Sequence, residues 1–254
     1  MKRLLPIAFC MLMAAVQAQT MPGPATPEPP STTALQPHAL APFVATYAVY
    51  REGKPFGDAT MQVVKLDGAR WRVDLGIDAN RGLLGLAGLN LQQSTLFDVE
   101  GGVYRPLSQS TVRQALFGKR QSTGVYDWHK LQAQWQGDVK KTRRAAVPLQ
   151  SGDMSGLLIN LAVLRDARPG ATLDYRFVDD GRVRNHQYAV AAAREPQTVD
   201  ELSYDAMRVN RIHAGSDDET ILWVVEGVPT PIRILQREHG QDVTDLRLIE
   251  YKGA

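Results

Sequence analysis

Ser155, in the stretch Gly152-Asp153-Met154-Ser155-Gly156, has the surroundings closest to those of a nucleophile in this chain. A nucleophile elbow places glycines two positions either side of its serine, on a sharp turn from strand to helix. Here the glycines fall three before and one after, and no strand pattern precedes them. The five histidines, His38, His129, His186, His213 and His239, never stand one, three or four apart. His186 and His213 fall in strand patterns, and a metal site would need those two to converge; otherwise they are ordinary strand histidines. Asp179-Asp180-Gly181 and Asp217-Asp218-Glu219 read as turn chemistry, in which Asp caps the backbone and Gly takes positive φ. No glycine-rich phosphate loop opens a helix. The sequence therefore offers no catalytic residues, no metal ligands and no cofactor site, and the expectation is a protein that is not an enzyme.

Charge narrows the partners. The whole chain carries 29 basic and 27 acidic residues, a formal +2. Lys2 and Arg3 belong to an N-terminal stretch, residues 1–18, with the charged start, short apolar core and small-residue end of a signal peptide, with cleavage expected after Ala18. That core is shorter than the roughly 20 apolar residues needed to span a bilayer. The mature chain would then be formally neutral, exported to the periplasm and without a transmembrane segment. Such a chain gives no footing for nucleic acid, because Trp71 between Arg70 and Arg72 is the alternation of a two-faced strand. The cluster Lys140-Lys141-Thr142-Arg143-Arg144 reads either as a contact for phosphates or lipid headgroups or as a solvated strand end. The single cysteine, Cys10, lies inside the signal, which excludes a disulfide framework, a thiol nucleophile and a thiolate metal site from the mature protein.

The remaining elements must build the fold. Residues 19–42 carry seven prolines in 24 positions and few large apolar side chains, the composition of a disordered tether. Residues 43–254 read as one β-rich domain. FVATYAVY, DATMQVVKL, RWRVDLGIDA and their successors alternate apolar and polar positions between Gly, Asp and Pro turns. The expectation is a mainly β fold: a large curved antiparallel sheet or open β-barrel of about a dozen strands. One α-helix, over about residues 153–165, has Leu157, Leu158, Leu161 and Leu164 at helical spacing and Ser151 or Asp153 as N-cap. It is expected to plug or cover the concave side.

Two stretches concern a ligand. NRGLLGLAGLNL, residues 80–91, sets leucines among glycines, so neither helix nor strand is stable there. It reads as an apolar flap at a cavity mouth or as a packed irregular loop. In the hairpin TILWVVEGVPTPIRILQRE, residues 220–238, the first strand is apolar on both faces, so it is covered on both sides or lines a cavity on one. Candidate ligand-binding residues are accordingly Trp223, as a cavity wall, and Leu83, Leu84, Leu86, Leu89 and Leu91.

The ordered stretches FVATYAVYREGKPFGDATMQV, STLFDVEGGVYRPLSQS, DMSGLLINLAVLR and ILWVVEGVPTPIRI with a terminal LRLIEY resemble an uncharacterised family of exported proteobacterial proteins, a domain of unknown function. That resemblance covers residues 43–251 and implies an exported β-rich protein, with no catalytic residues to carry over. At the level of architecture the chain is also similar to periplasmic carriers of the LolA and LolB type, whose half-open barrel holds acyl chains under a helical lid. The resulting expectation is a periplasmic, non-catalytic binding or carrier module for an apolar or amphipathic ligand such as a lipid. The alternative is a structural or assembly factor of the cell envelope acting through a protein partner.

Overall fold

A computed structural model of the protein describes residues 40–79, 81, 89–115, 118–199, 201–213, 215 and 217–253. Alternation of buried and half-buried positions runs through the first strands. β1 (Phe43–Arg51) buries Phe43, Ala45, Tyr47 and Val49, and β2 (Lys54–Lys65) and β3 (Arg70–Asp78) follow the same period. The chain continues through β4 (Asn90–Glu100), β5 (Val103–Ala115), β6 (Gly118–Asp127), β7 (Gln132–Gly137) and the two-residue β8 (Val147–Pro148). After the helix α1 (Gly156–Asp166) come β9 (Thr172–Asp179), β10 (Arg182–Val190), β11 (Glu195–Val199), β12 (Leu202–Ile212), β13 (Glu219–Val224), β14 (Arg233–Glu238) and β15 (Gln241–Gly253). Fourteen strands form one order, β8-β7-β6-β5-β4-β3-β2-β1-β15-β14-β13-β12-β10-β9, and β11 pairs with β12 alone. Every strand pairing is antiparallel.

Turn chemistry explains the meander. Glu52-Gly53, Asp180-Gly181 and His239-Gly240 each have positive φ at both residues, which a two-residue hairpin turn requires to match the twist of its strands. Curvature comes from register shifts in β1–β15, β1–β2, β4–β5 and β14–β15, because an extra residue bends the bulged strand. The strand prolines obey the same logic. Pro55 and Pro106 sit beside two of these shifts, while Pro148 and Pro196 lie in the edge strands β8 and β11, where a missing N–H breaks no ladder.

The two ends of the order meet at a seam. Beyond β8, Met154 forms a parallel bridge with Phe177, donating to the carbonyl of Arg176 and accepting from Val178, both at 2.9 Å. Val178 packs with Tyr126, Trp135 and Leu149, and the Tyr126 hydroxyl donates to its carbonyl at 2.7 Å. The basic cluster at 140–144 is part of this closure. Arg143 pairs with Asp180, and Arg144 donates to the carbonyls of Val139 and Gly137 at 3.3 Å. The sheet is thus a nearly closed, barrel-like structure.

α1 lies inside it. The helix packs against β3, β4 and β5 and also against β9 at the far end of the strand order, which is possible only within the curled sheet. Leu157, Leu158, Ile159, Leu161, Ala162 and Val163 are all buried, and a helix apolar nearly all round belongs in a core. It begins later than the leucine spacing predicts. Ser155, not Ser151 or Asp153, is the N-cap, because Asp153 is committed to Arg176 and Met154 is held extended against β9. The connection between β13 and β14 also turns inward: Thr230 and Ile232 are fully buried, and the Tyr47 hydroxyl donates to the Pro231 carbonyl at 3.0 Å.

Candidate functional site

A cavity of about 990 Å³ opens where the ends of β1, β3, β5 and β14 meet the starts of β2, β4, β6 and β15. Ligand pockets run to roughly 300–1,000 Å³, so this one is large enough for a long small molecule. Strand register explains its chemistry. Ile77, Leu91, Arg113 and Arg120 are successive cross-strand partners from β3 to β6, so one row of inward positions passes from apolar to cationic. Val49, Phe56 and Leu89 extend the apolar wall, and Arg51 and Lys119 add to the rim. Against these four cations stand two carboxylates, Asp138 and Glu238. Asp138 already accepts the Gln121 backbone N–H at 2.7 Å. Among the described residues none of the four cations makes a salt bridge.

The base of the 79–89 segment is held at both ends. Ala79 donates to the Leu89 carbonyl at 2.9 Å, and Arg81 donates to the Phe56 carbonyl at 3.2 Å and pairs with Asp58 at 2.9 Å. Gly57 lets the two strands approach here, since a Cβ at that position would overlap the carbonyl oxygen of Asp78. Leu89 and Leu91 therefore reach the cavity. Leu83, Leu84 and Leu86 lie outside the described residues. Trp223 is elsewhere. β13 is buried on both faces, and Trp223 shares a face with Ile221, opposite Leu222 and Val224. Its Nε1 donates to Glu195 at 2.6 Å, and the Arg233 guanidinium lies 5.0 Å from its ring.

Ser155, the nearest approach to a nucleophile, is fully buried, with its hydroxyl 3.1 Å from that of Thr95. Among the described residues no group of three or more His, Cys, Asp or Glu is placed to hold a metal ion, and no helix is long and apolar enough to cross a membrane. His186 faces a guanidinium instead, and the same Arg211 charge acts on His213. His186 Nε2 lies 2.8 Å from Nη2 of Arg211; because arginine only donates, that nitrogen accepts and the ring is neutral with its proton on Nδ1. Burial, then Arg211, Arg184 and His213, lower the His186 pKa to about 4.

That shift carries a sign. An unfolded His186 binds its proton near 6.5, whereas the folded one resists it, so stability present above pH 6.5 is lost as pH falls towards 4. The expected loss is about 2 kcal/mol after allowance for solvent screening. Asp179 acts in the opposite sense, because burial raises its pKa. Urea unfolding of wild type and His186→Gln at pH 7 and pH 4.5 isolates the histidine: the glutamine still accepts from Arg211, and its stability should fall less with acid. Equal losses in both proteins would remove His186 from the account.

The architecture defines a class, that of barrel-like proteins with an internal helix. Within it the chain belongs to the family described as "Protein of unknown function (DUF3108)", whose model matches residues 46–246. It is similar in fold to a β-barrel-like protein of the domain of unknown function DUF1849 from Brucella abortus. The TM-score is 0.52 at 7% identity, over 85% of this chain and 98% of that one. Among curated proteins none matches the chain.

Proposed function

We propose that this protein is an exported, non-catalytic binding or carrier module for an amphipathic ligand, held in the cavity at the open end of the barrel. The observation that carries this reading is the row Ile77, Leu91, Arg113, Arg120. An acyl chain gains by leaving water against Val49, Phe56, Ile77, Leu89 and Leu91, at about 25 cal/mol per Å² buried. A polar or anionic end would meet the unpaired cations of the rim. The envelope-assembly alternative would use an open strand edge, and at the seam β9 is already paired with Met154 of the segment leaving β8, which leaves the short, proline-containing β11 for strand addition by a partner.

Titration of the full chain with a fluorescent anthroyloxy fatty acid tests the reading. Leu91→Glu places a carboxylate in the apolar wall beside the ligand and should weaken binding at least tenfold, about 1.4 kcal/mol, with circular dichroism unchanged. A wild-type protein that takes up none of this probe, or a variant that binds it equally well, would overturn the proposal.

A further inference from the structure

The inner faces of β9, β10 and β12 carry a second set of cations that the cavity row does not include. Strand register places Phe177 opposite Arg184 and Tyr175 opposite His186, and Tyr188 opposite Arg211. The side chains form a continuous stack. The Arg184 guanidinium lies 5.0 Å from the Phe177 ring centre, Phe177 stacks on His186 at 4.4 Å, and His186 Nε2 lies 2.8 Å from Arg211. Nε of Arg184, Nε of Arg211 and Nε2 of His213 are all buried without a hydrogen-bond partner. Neither arginine has a salt bridge among the described residues.

The neighbouring acids are accounted for. Asp179, the carboxylate felt by Arg184, accepts from Gln109. Asp180 is engaged by Arg143 and Arg182. Asp218 acts on His213. Burial lowers the pKa of both Arg184 and Arg211, and Arg182, Arg211 and Arg143 lower that of Arg184 further. Each guanidinium offers five donors and no acceptor, and a buried charge without a partner is costly. Two such groups on one wall, with donors left over, are stabilised when an anion with several acceptor oxygens lies against that wall.

We propose that Arg184 and Arg211, with His213, form an oxyanion site on the inner wall of the barrel that takes a phosphate-type group. Arg211 continues the cross-strand row Thr244, Gln236, Thr220, and Thr244 and Gln236 line the large cavity. Two strand spacings separate Gln236 from Arg211, about 10 Å. The group is either a free phosphate or the head of an amphiphile whose chain lies in that cavity; the second case rests on the function proposed above.

The test is calorimetric titration of the full chain with inorganic phosphate, dodecyl phosphate and the uncharged dodecyl maltoside, on wild type, Arg184→Gln and Arg211→Gln. Phosphate should also raise the thermal midpoint of wild type above that in chloride of equal ionic strength. Each variant should weaken phosphate-group binding at least tenfold and lose that rise, while keeping or raising its own midpoint in phosphate-free buffer because a buried charge has been removed. A purely structural arginine would instead lower the midpoint. Dodecyl phosphate binding tenfold or more tighter than inorganic phosphate identifies a headgroup site, and equal affinity identifies a free-anion site; either upholds the proposal. Binding of both phosphates that is unchanged in the variants overturns it. Uptake of dodecyl maltoside by all three proteins with no phosphate binding also overturns it, leaving the carrier reading intact. Arg211-dependent binding of inorganic phosphate with no amphiphile uptake sinks the carrier reading and keeps the site.

Discussion

Asp153→Ala should lower the unfolding free energy by about 3–5 kcal/mol, the usual effect of removing one partner of a buried ion pair. Asp153 is fully buried. Its two oxygens accept Nη1 of Arg176 at 2.6 and 2.5 Å, and one of them also accepts the Gln150 N–H at 2.8 Å. Arg176 in turn donates from Nη2 to the Pro148 carbonyl at 3.1 Å. This one carboxylate therefore joins β9 to the segment leaving β8, next to the Met154 bridge that ties the two ends of the sheet. Alanine leaves a guanidinium without its counter-charge and a backbone donor without its acceptor. Asp153→Asn retains the Gln150 contact and should lose roughly half as much. Urea unfolding gives both values, and hydrogen exchange at the Met154 and Val178 amides shows whether the seam opens first. An alanine variant within 1 kcal/mol of wild type would mean that closure does not depend on this pair.

The fold was legible wherever a strand has one wet and one dry face. β1, β2 and the first half of β3 alternate cleanly, and their turns carry the glycines that positive φ demands. β8 and β11 escaped, because a two-residue and a five-residue edge strand with a proline show no period. The last three residues of β5 and the start of β6 escaped for a reason tied to the site. The stretches Arg113–Ala115 and Gly118–Thr123 carry almost no large apolar side chains, because one face borders the open mouth of the cavity and the other faces solvent. Arg113 and Arg120 therefore fall outside any strand pattern in the sequence. The leucines at 89 and 91 were visible as an apolar run, while Trp223 was visible only as apolar, and its face is decided by the register of β13 with β12 and β14.

The oxyanion wall carried a signal that a strand-by-strand reading passes over. Along β10 the positions 184, 186, 188 and 190 are Arg, His, Tyr and Val, one face running from cationic to apolar. Val190 is opposite Val209, a fully buried core residue, so the same face is inward along the whole strand. Two basic residues on an inward face are unusual enough to mark a site; alternation alone, read as hydrophobic or not, discards them.

Leu158→Ala should cost about 3 kcal/mol, from the lost burial of three side-chain carbons and from the space they leave unfilled in a site that cannot fully collapse. For a chain of this size that corresponds to a fall in thermal midpoint of roughly 6–12 °C. Leu158 is fully buried on a helix that touches both β3–β5 and β9, so neither side can move in without opening the seam. Leu164, half-buried in the last turn beside a smaller cavity of about 260 Å³, gives the contrast, and Leu164→Ala should lose under half as much. The pair also tests where an acyl ligand of the proposed kind would sit. The large cavity is lined by strand ends and by no residue of α1, so an acyl ligand should raise the midpoints of wild type and Leu158→Ala equally. A larger rise for Leu158→Ala would show the chain filling the space beside the helix, which would extend the binding site from the open end into the core of the barrel.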